Sequence, residues 1–436
     1  MTKPEAGERP LGLAAATALL VGEVIGIGIF LTPAEMARDL AAPGLVYAMW
    51  LVAGTMAATG ALCFAELASR YPEAGGPYVY LREAFGETLA FLYGWKCLLV
   101  LDPGLTAALA TGCAQYASAL VPMSPLAQRG LAVATILAIA GLTARGTRLA
   151  ANALVVMTAL KLGVLLAIVG FGLLAHGLSA ERLWPAFERG PAAAPLVGAL
   201  AGGFVAAFFS FGGWWDAAKM AGEVKDPART LPVAFLSGVG IVTLAYMLTS
   251  AVFMGTLPLD QAGSGGAFAA QLGERLFGAK GASVLSLAVL FCVLGSHLAF
   301  ALASPRVYVA MARDRLFPQA LARLHSRFGT PVGAIAVQAV LAVVLVMLGS
   351  FGTIIAYFIF VAVAFVALSV VGMLRLPAAQ GFRTPLRPLT AGIFLTLSAL
   401  LLLLLAAGRP REAALGTAVV ALGVPVHRSL RRKAYP

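Results

Sequence analysis

Charge is what this sequence has least of. Only 11% of its 436 residues are Asp, Glu, Lys or Arg, while 60% are hydrophobic. Soluble domains carry roughly 25% charged residues, so a soluble globular core is excluded. Cysteine is scarce too. Cys63, Cys97, Cys113 and Cys292 all lie inside hydrophobic runs and no pair has metal-ligand spacing. They read as small buried apolar residues, with neither a disulfide nor a metal site expected. There is no HExxH zinc pair and no P-loop or other nucleotide motif. A membrane-embedded enzyme is therefore not expected, and neither is a cofactor. The net charge of +12 does not point to nucleic acid, because the basic residues lie in short loops between apolar runs and report membrane orientation instead. The chain is expected to have no cleavable leader, since it enters a long first span without a small-residue cleavage pattern. No lipidation box stands at either end.

What the chain has in abundance is membrane-length apolar runs. A helix crosses the hydrocarbon with about 20 apolar residues. By that ruler the sequence predicts an all-α integral membrane fold of twelve transmembrane helices. Their spans are 11–39, 44–69, 86–119, 128–144, 149–176, 195–221, 231–255, 280–312, 331–349, 352–374, 388–407 and 411–427. The third and eighth are long, which implies tilt or an extension beyond the bilayer. With the N-terminus inside, most of the 31 basic residues fall on the cytoplasmic side. Lys219 and Arg306 are counted there as solvated, and the stretch from Arg313 to Arg327 reads as a solvated cytoplasmic helix. Both ends are thus expected in the cytoplasm of a cell, with the body in the inner membrane. Helices 1 and 6 then start on opposite sides. Residues 11–176 and 195–374 read as two five-helix repeats of inverted orientation. Residues 388–427 add helices 11 and 12, and 1–10 and 428–436 form cytoplasmic tails.

Two spans are broken by glycine at matching places. The first contains Gly22-Glu23-Val24-Ile25-Gly26-Ile27-Gly28, and the second Phe209-Ser210-Phe211-Gly212-Gly213-Trp214. Each glycine costs a helix about 1 kcal/mol, so these clusters predict unwinding. Unwound backbone inside a bilayer persists only where protein or water satisfies it. Interrupted helices in equivalent positions of two repeats are the best pointer to a transporter's substrate site. The exposed N–H groups of one half-helix suit a carboxylate and the free carbonyls of the other suit an ammonium, so the pair suits a zwitterion. Glycines that merely allow close helix packing are the alternative.

These residues resemble a known family. Gly22 to Pro33 is similar to the first-helix signature of the amino acid–polyamine–organocation superfamily. Ala61 to Pro77 resembles its second-helix and first-loop signature. Phe209 to Trp214, followed by Ala221 to Pro227, resembles helix 6 of the L-type amino acid transporter branch. Arg306 to Pro318 and Arg327 to Pro331 resemble its helix 8–9 region. The resemblance implies a leucine-transporter-like 5+5 inverted repeat with discontinuous helices 1 and 6, moving an amino acid by alternating access. It implies a substrate carboxylate at the backbone of Gly26, Ile27 and Gly28. It implies an amino group near the carbonyls of Val24, Ile25, Phe209, Ser210 and Gly212, with Phe209 capping the site. Lys161 matches a helix 5 lysine of sodium-independent members, whose ammonium fills the sodium volume beside Gly22, and Ser296 matches its hydroxyl partner. Leu120–Gln128 lacks the cysteine by which mammalian L-type members tie to a heavy-chain glycoprotein, so that partner is not expected.

Charged groups at bilayer depth are costly and functional by default. Lys161 reads either as a proton carrier or as a fixed cation bracing helices. Glu23 can pair with Lys161, relay a proton or accept a cationic group. Asp102 precedes Pro103, which predicts a kink, and a substrate-facing role stays open for it. A proton role stays open for His297. Trp214 and Trp215 read as packing behind the site. Phe209 and Phe211 with Ile27 point to a small or medium neutral L-amino acid, moved by proton symport or exchange. Glu23 and Asp102 keep a cationic amino acid or polyamine as the second reading.

Overall fold

Apolar side chains cover the outside of this molecule as well as its inside. Leu126, Leu137, Leu166, Val197, Leu348, Leu403 and Leu422 are all more than half exposed, a surface that only a lipid environment accepts. The computed structural model describes residues 9–26, 28–176, 187–189, 195–256, 266–348, 351–377 and 381–434. Ile27, Arg182, the first eight residues and the last two lie outside the described residues.

Among the described residues, nine helices are long and apolar enough to cross a membrane. They combine with shorter apolar pieces into a multi-pass helical bundle of twelve passes. The first pass is split into α1 (Leu13–Val24) and α2 (Gly28–Leu40). The second is α3 (Pro43–Arg70), and α4 (Pro77–Phe85) is a short helix in the loop after it. The third pass comprises α5 (Glu87–Lys96), a π-helical turn over Cys97–Leu101 and α6 (Asp102–Leu120). Pro103 accounts for that turn: it has no N–H to give and its ring crowds the preceding carbonyl, so the helix widens. The expected kink is therefore a π-bulge. The fourth and fifth passes are α7 (Pro125–Ala144) and α8 (Thr147–Phe171).

The sixth pass is α9 (Leu196–Phe211) continued by a ten-residue 3-10 helix over Trp214–Glu223. Next come α10 (Pro227–Thr256), the short α11 (Gly266–Phe277) and α12 (Gly281–Ala303). The eighth pass does not extend straight, because Pro305 starts a separate helix, α13 (Pro305–Arg313). The bundle closes with α14 (Val332–Leu348), α15 (Phe351–Arg375), α16 (Arg387–Gly408) and α17 (Pro410–Ala434).

Among the described residues there is no strand, only one parallel bridge between Leu11 and Val224. The Leu11 N–H donates to Glu223 O at 3.0 Å and the Lys225 N–H to Leu11 O at 2.8 Å. The entry to the first pass is thus joined, main chain to main chain, to the exit from the sixth. All four cysteines are buried and free.

Candidate functional site

The first break begins where Ile25 leaves helical geometry, at φ −75° and ψ 84°. The Gly26 N–H, which in a continuous helix would close onto Gly22 O, bonds instead to Val24 O at 2.9 Å. The Gly22 and Ile25 carbonyls take side-chain donors. Lys161 Nζ donates to Gly22 O at 2.7 Å, to Ile25 O, and to Ser296 Oγ at 3.1 Å. Ser296 Oγ itself lies 2.8 Å from Gly22 O and 3.1 Å from Ile25 O. Lys161 is 1% exposed, and all three of its protons are used. It makes no ion pair with Glu23, so of the three readings open for Glu23 the pairing with Lys161 is not formed; the backbone oxygens of the break occupy the ammonium.

The second break is shorter than the sequence suggests. Ser210 and Phe211 stay helical, and the chain unwinds only at Gly212 (φ −56°, ψ 141°) and Gly213 (φ 106°). Gly213 needs its freedom twice over. Its φ is one that other residues rarely adopt, and a Cβ there would stand 2.9 Å from Glu23 Cγ. The two breaks touch: a Cβ on Gly28 would lie 3.1 Å from Ser210 Cα. Thr32 Oγ1 and Ser210 Oγ are 2.7 Å apart. Tyr246, which the sequence reading overlooked, reaches between them, with its hydroxyl 2.9 Å from Val24 O and 2.8 Å from Ser210 O. A polar-tipped aromatic in the middle of an apolar span was the available signal.

The carbonyls expected for an ammonium are therefore not vacant. Val24 O and Ser210 O share the Tyr246 hydroxyl, Ile25 O faces Lys161, and Phe209 O accepts the Gly212 N–H at 3.1 Å. Each keeps at most one lone pair for a ligand.

Beside the breaks lies a cavity of about 160 Å³. Of the residues singled out from sequence, Glu23, Val24, Gly26, Gly28, Phe209, Ser210, Gly212 and Ser296 line it. Gly22, Ile25 and Lys161 stand behind it. Phe211 also turns away, 1% exposed and packed on Trp50 and Tyr246 with ring centroids 6.2 and 5.3 Å apart. Phe208 takes the cavity-facing place, stacked on Trp215 at 6.2 Å. Trp215 lines the cavity as well, while Trp214 packs edge-on against Phe64. His297 is buried away from it, its Nδ1 without a partner among the described residues.

Behind the cavity wall sits a buried ionic group that loop counting misplaces. Lys219 is fully buried, not solvated. Its Nζ is 2.9 Å from Asp216 Oδ1 and 3.9 Å from Asp102 Oδ1. The bend at Gly212–Gly213 carries the 3-10 helix back into the bundle, and every residue of Trp214–Ala221 is buried. Asp102 receives the Tyr308 hydroxyl at 2.8 Å and does not line the cavity. Asp216, also overlooked, does line it. Its spacing of three residues from Lys219 inside an apolar stretch was the legible hint. Arg306 is buried too. It bonds Glu223 at 2.8 Å, Leu302 O at 2.6 Å and Thr147 Oγ1 at 3.0 Å. Arg313, Asp314 and Arg315 are exposed as expected, but the stretch to Arg327 is not the expected helix: α13 ends at Arg313 and only a 3-10 turn, Gln319–Ala322, follows.

A sequence profile of amino acid permeases matches residues 11–425. The chain is similar to the mouse Asc-type amino acid transporter 1, with 29% identity over 433 residues that cover 96% of this chain and 80% of the relative. It is similar to the human large neutral amino acids transporter small subunit 2, with 28% identity over 449 residues, covering 97% and 82%. It is likewise 28% identical over 373 residues to the human b(0,+)-type amino acid transporter 1, covering 84% and 76%.

Proposed function

The chain belongs to the amino acid permease family, and on that premise we propose that it carries small or medium neutral L-amino acids by alternating access, without sodium. The contact between the two interrupted helices supports this most. Gly26, Gly28, Ser210 and Gly212 face one cavity of about 160 Å³. An apolar cavity of about 150 Å³ takes up benzene, so this space accepts an amino acid of that size range. The substrate carboxylate lies at the N–H groups that open α2, where the helix dipole favours an anion. Its ammonium lies toward the carbonyls of Ser210 and Gly212, since Val24 O already accepts both the Gly26 N–H and the Tyr246 hydroxyl.

Lys161 and Ser296 hold the first break open in place of a metal cation, with Gly22 and Ile25 as their anchors. Flux runs by exchange or is coupled to protons. Residues 11–176 and 195–374 are the two inverted repeats, and both chain ends lie on the cytoplasmic side of the inner membrane. No covalently linked glycoprotein partner is needed, since 120–128 contains no cysteine. A second reading, a cationic amino acid or polyamine carrier, is favoured by Glu23 and Asp216 on the cavity wall.

The test is counterflow in liposomes carrying the purified protein. Vesicles preloaded with one unlabelled amino acid take up its labelled form in sodium-free buffer, across all common amino acids and putrescine. Neutral amino acids should exchange best. No counterflow with any of them refutes the transport reading, and preference for lysine, arginine or putrescine selects the second one.

A further inference from the structure

Among the described residues, Glu23 is the one buried acid without an ion pair. It is 8% exposed, it lines the cavity, and neither carboxyl oxygen has a hydrogen-bond donor among the described residues. The nearest acid on the same cavity wall is Asp216, whose N–H donates at 2.9 Å to the carbonyl of Gly213, the residue packed directly on Glu23. Two ionised carboxylates there repel and have no proton to share; one proton between them turns repulsion into a strong hydrogen bond.

The surrounding charges agree. From the 3-10 helix, Lys219 pairs with Asp216 and Asp102. Lys96, 2% exposed, rests over the Tyr93 ring 4.6 Å from its centroid. Lys161 on α8 is spent on the carbonyls across α1. From α12, Cys292 and His297 are buried, and from α10 Tyr246 faces backbone oxygens. The acids Asp102 and Asp216 are thus balanced by Lys219 and Lys96. An ionised Glu23 would stand in a dry interior with no cation paired to it, Lys161 being held at the carbonyls of the first break, which is costly.

We infer that Glu23 and Asp216 form a proton-binding pair in the cavity wall, and that a substrate ammonium competes with its proton. The empty site holds the proton, donated by Glu23 to Asp216. An arriving ammonium supplies the same positive charge from the cavity side, Glu23 ionises against it, and the proton leaves to solvent. The cluster then carries the same net charge empty and loaded. The inference rests on the transport reading above for the identity of the ammonium, but the proton itself is tested without a substrate.

The first experiment uses ligand-free protein in detergent. Infrared spectra at neutral pH should show the C=O stretch of a protonated carboxylic acid, and E23Q should lose it while keeping its folded thermal transition. A wild-type spectrum identical to that of E23Q overturns the inference whatever the protein transports. The second uses whichever amino acid gives counterflow. Its apparent Kd should rise about tenfold for each unit by which pH falls, as competition with one proton demands. In E23Q the ratio of Kd values across the same range should fall to about one. A Kd that is independent of pH in the wild type, or that falls as pH falls, overturns the competition. Failure of every amino acid to exchange, with the infrared band present, overturns the transport reading and leaves the proton pair standing.

Discussion

Lys161→Met removes the ammonium that closes the first break and keeps most of the stem that fills its place. The consequence can be worked from the contacts. The ammonium donates to Gly22 O, Ile25 O and Ser296 Oγ. Without it, the Ser296 hydroxyl can serve one of the two carbonyls, and the other is left dry. A buried unsatisfied carbonyl costs about 1–3 kcal/mol, and each lost charge-assisted bond about as much again. For the dry carbonyl and the bond it loses, the sum is about 3–5 kcal/mol, all of it charged to the unwound conformation at Ile25 and Gly26. At about 1.4 kcal/mol per factor of ten, competent sites should fall by two to four orders of magnitude. Initial rates of counterflow in liposomes, normalised to inserted protein, measure this. Lys161→Arg is the informative companion. It keeps the charge, but a planar fork does not reach three acceptors arranged around a point, so it should rescue little. K161M transport within about threefold of wild type would refute the assignment of Lys161 as the brace of the break.

Three further outcomes follow from the same geometry. Gly28→Ala should cost about 1–3 kcal/mol of stability and most of the flux, because the new methyl meets Ser210 Cα at 3.1 Å and backbone cannot step aside. Gly26→Ala, whose methyl meets the movable Ser296 hydroxyl at 3.1 Å, should be milder, and thermal unfolding in detergent ranks the two. Tyr246→Phe should lower stability by about 1–2 kcal/mol and slow transport, since its hydroxyl spans Val24 O and Ser210 O; unchanged melting and flux would remove it from the site. Ser124→Ala removes the N-cap bond to the Ala127 N–H at 3.2 Å at the start of α7, far from the cavity. It should cost about 1 kcal/mol in melting and leave counterflow untouched.

The passes and both interruptions were readable because they rest on local physics: run length, glycine cost and the missing N–H of proline. Lys161 and Ser296 were readable through resemblance, and the contacts give the reason for the pairing. The failures share one cause. Lys219 and Arg306 were assigned to water because both stand near the ends of apolar runs, where basic residues ordinarily mark a membrane surface. Each is drawn inward by a turn that hydropathy does not register: Gly212–Gly213 for Lys219, and Pro305 for Arg306. Phe211 was misassigned for a related reason. The helix holds through Ser210 and Phe211, right up to Gly212, so Phe208 and Phe209, not Phe211, look into the cavity. Tyr246 left no trace beyond its own presence, since a bond across 222 residues of chain to Val24 O has no local signature.

The bridge that joins Leu11 to Glu223 and Lys225 is made of peptide groups alone. A latch of that kind cannot be picked by exchanging side chains; it ignores charge, pH and size, and only proline at Leu11 or Lys225 strips it of a donor. Any motion that parts the start of the first pass from the end of the sixth must therefore break the same two bonds, whatever side chains line the passes between them.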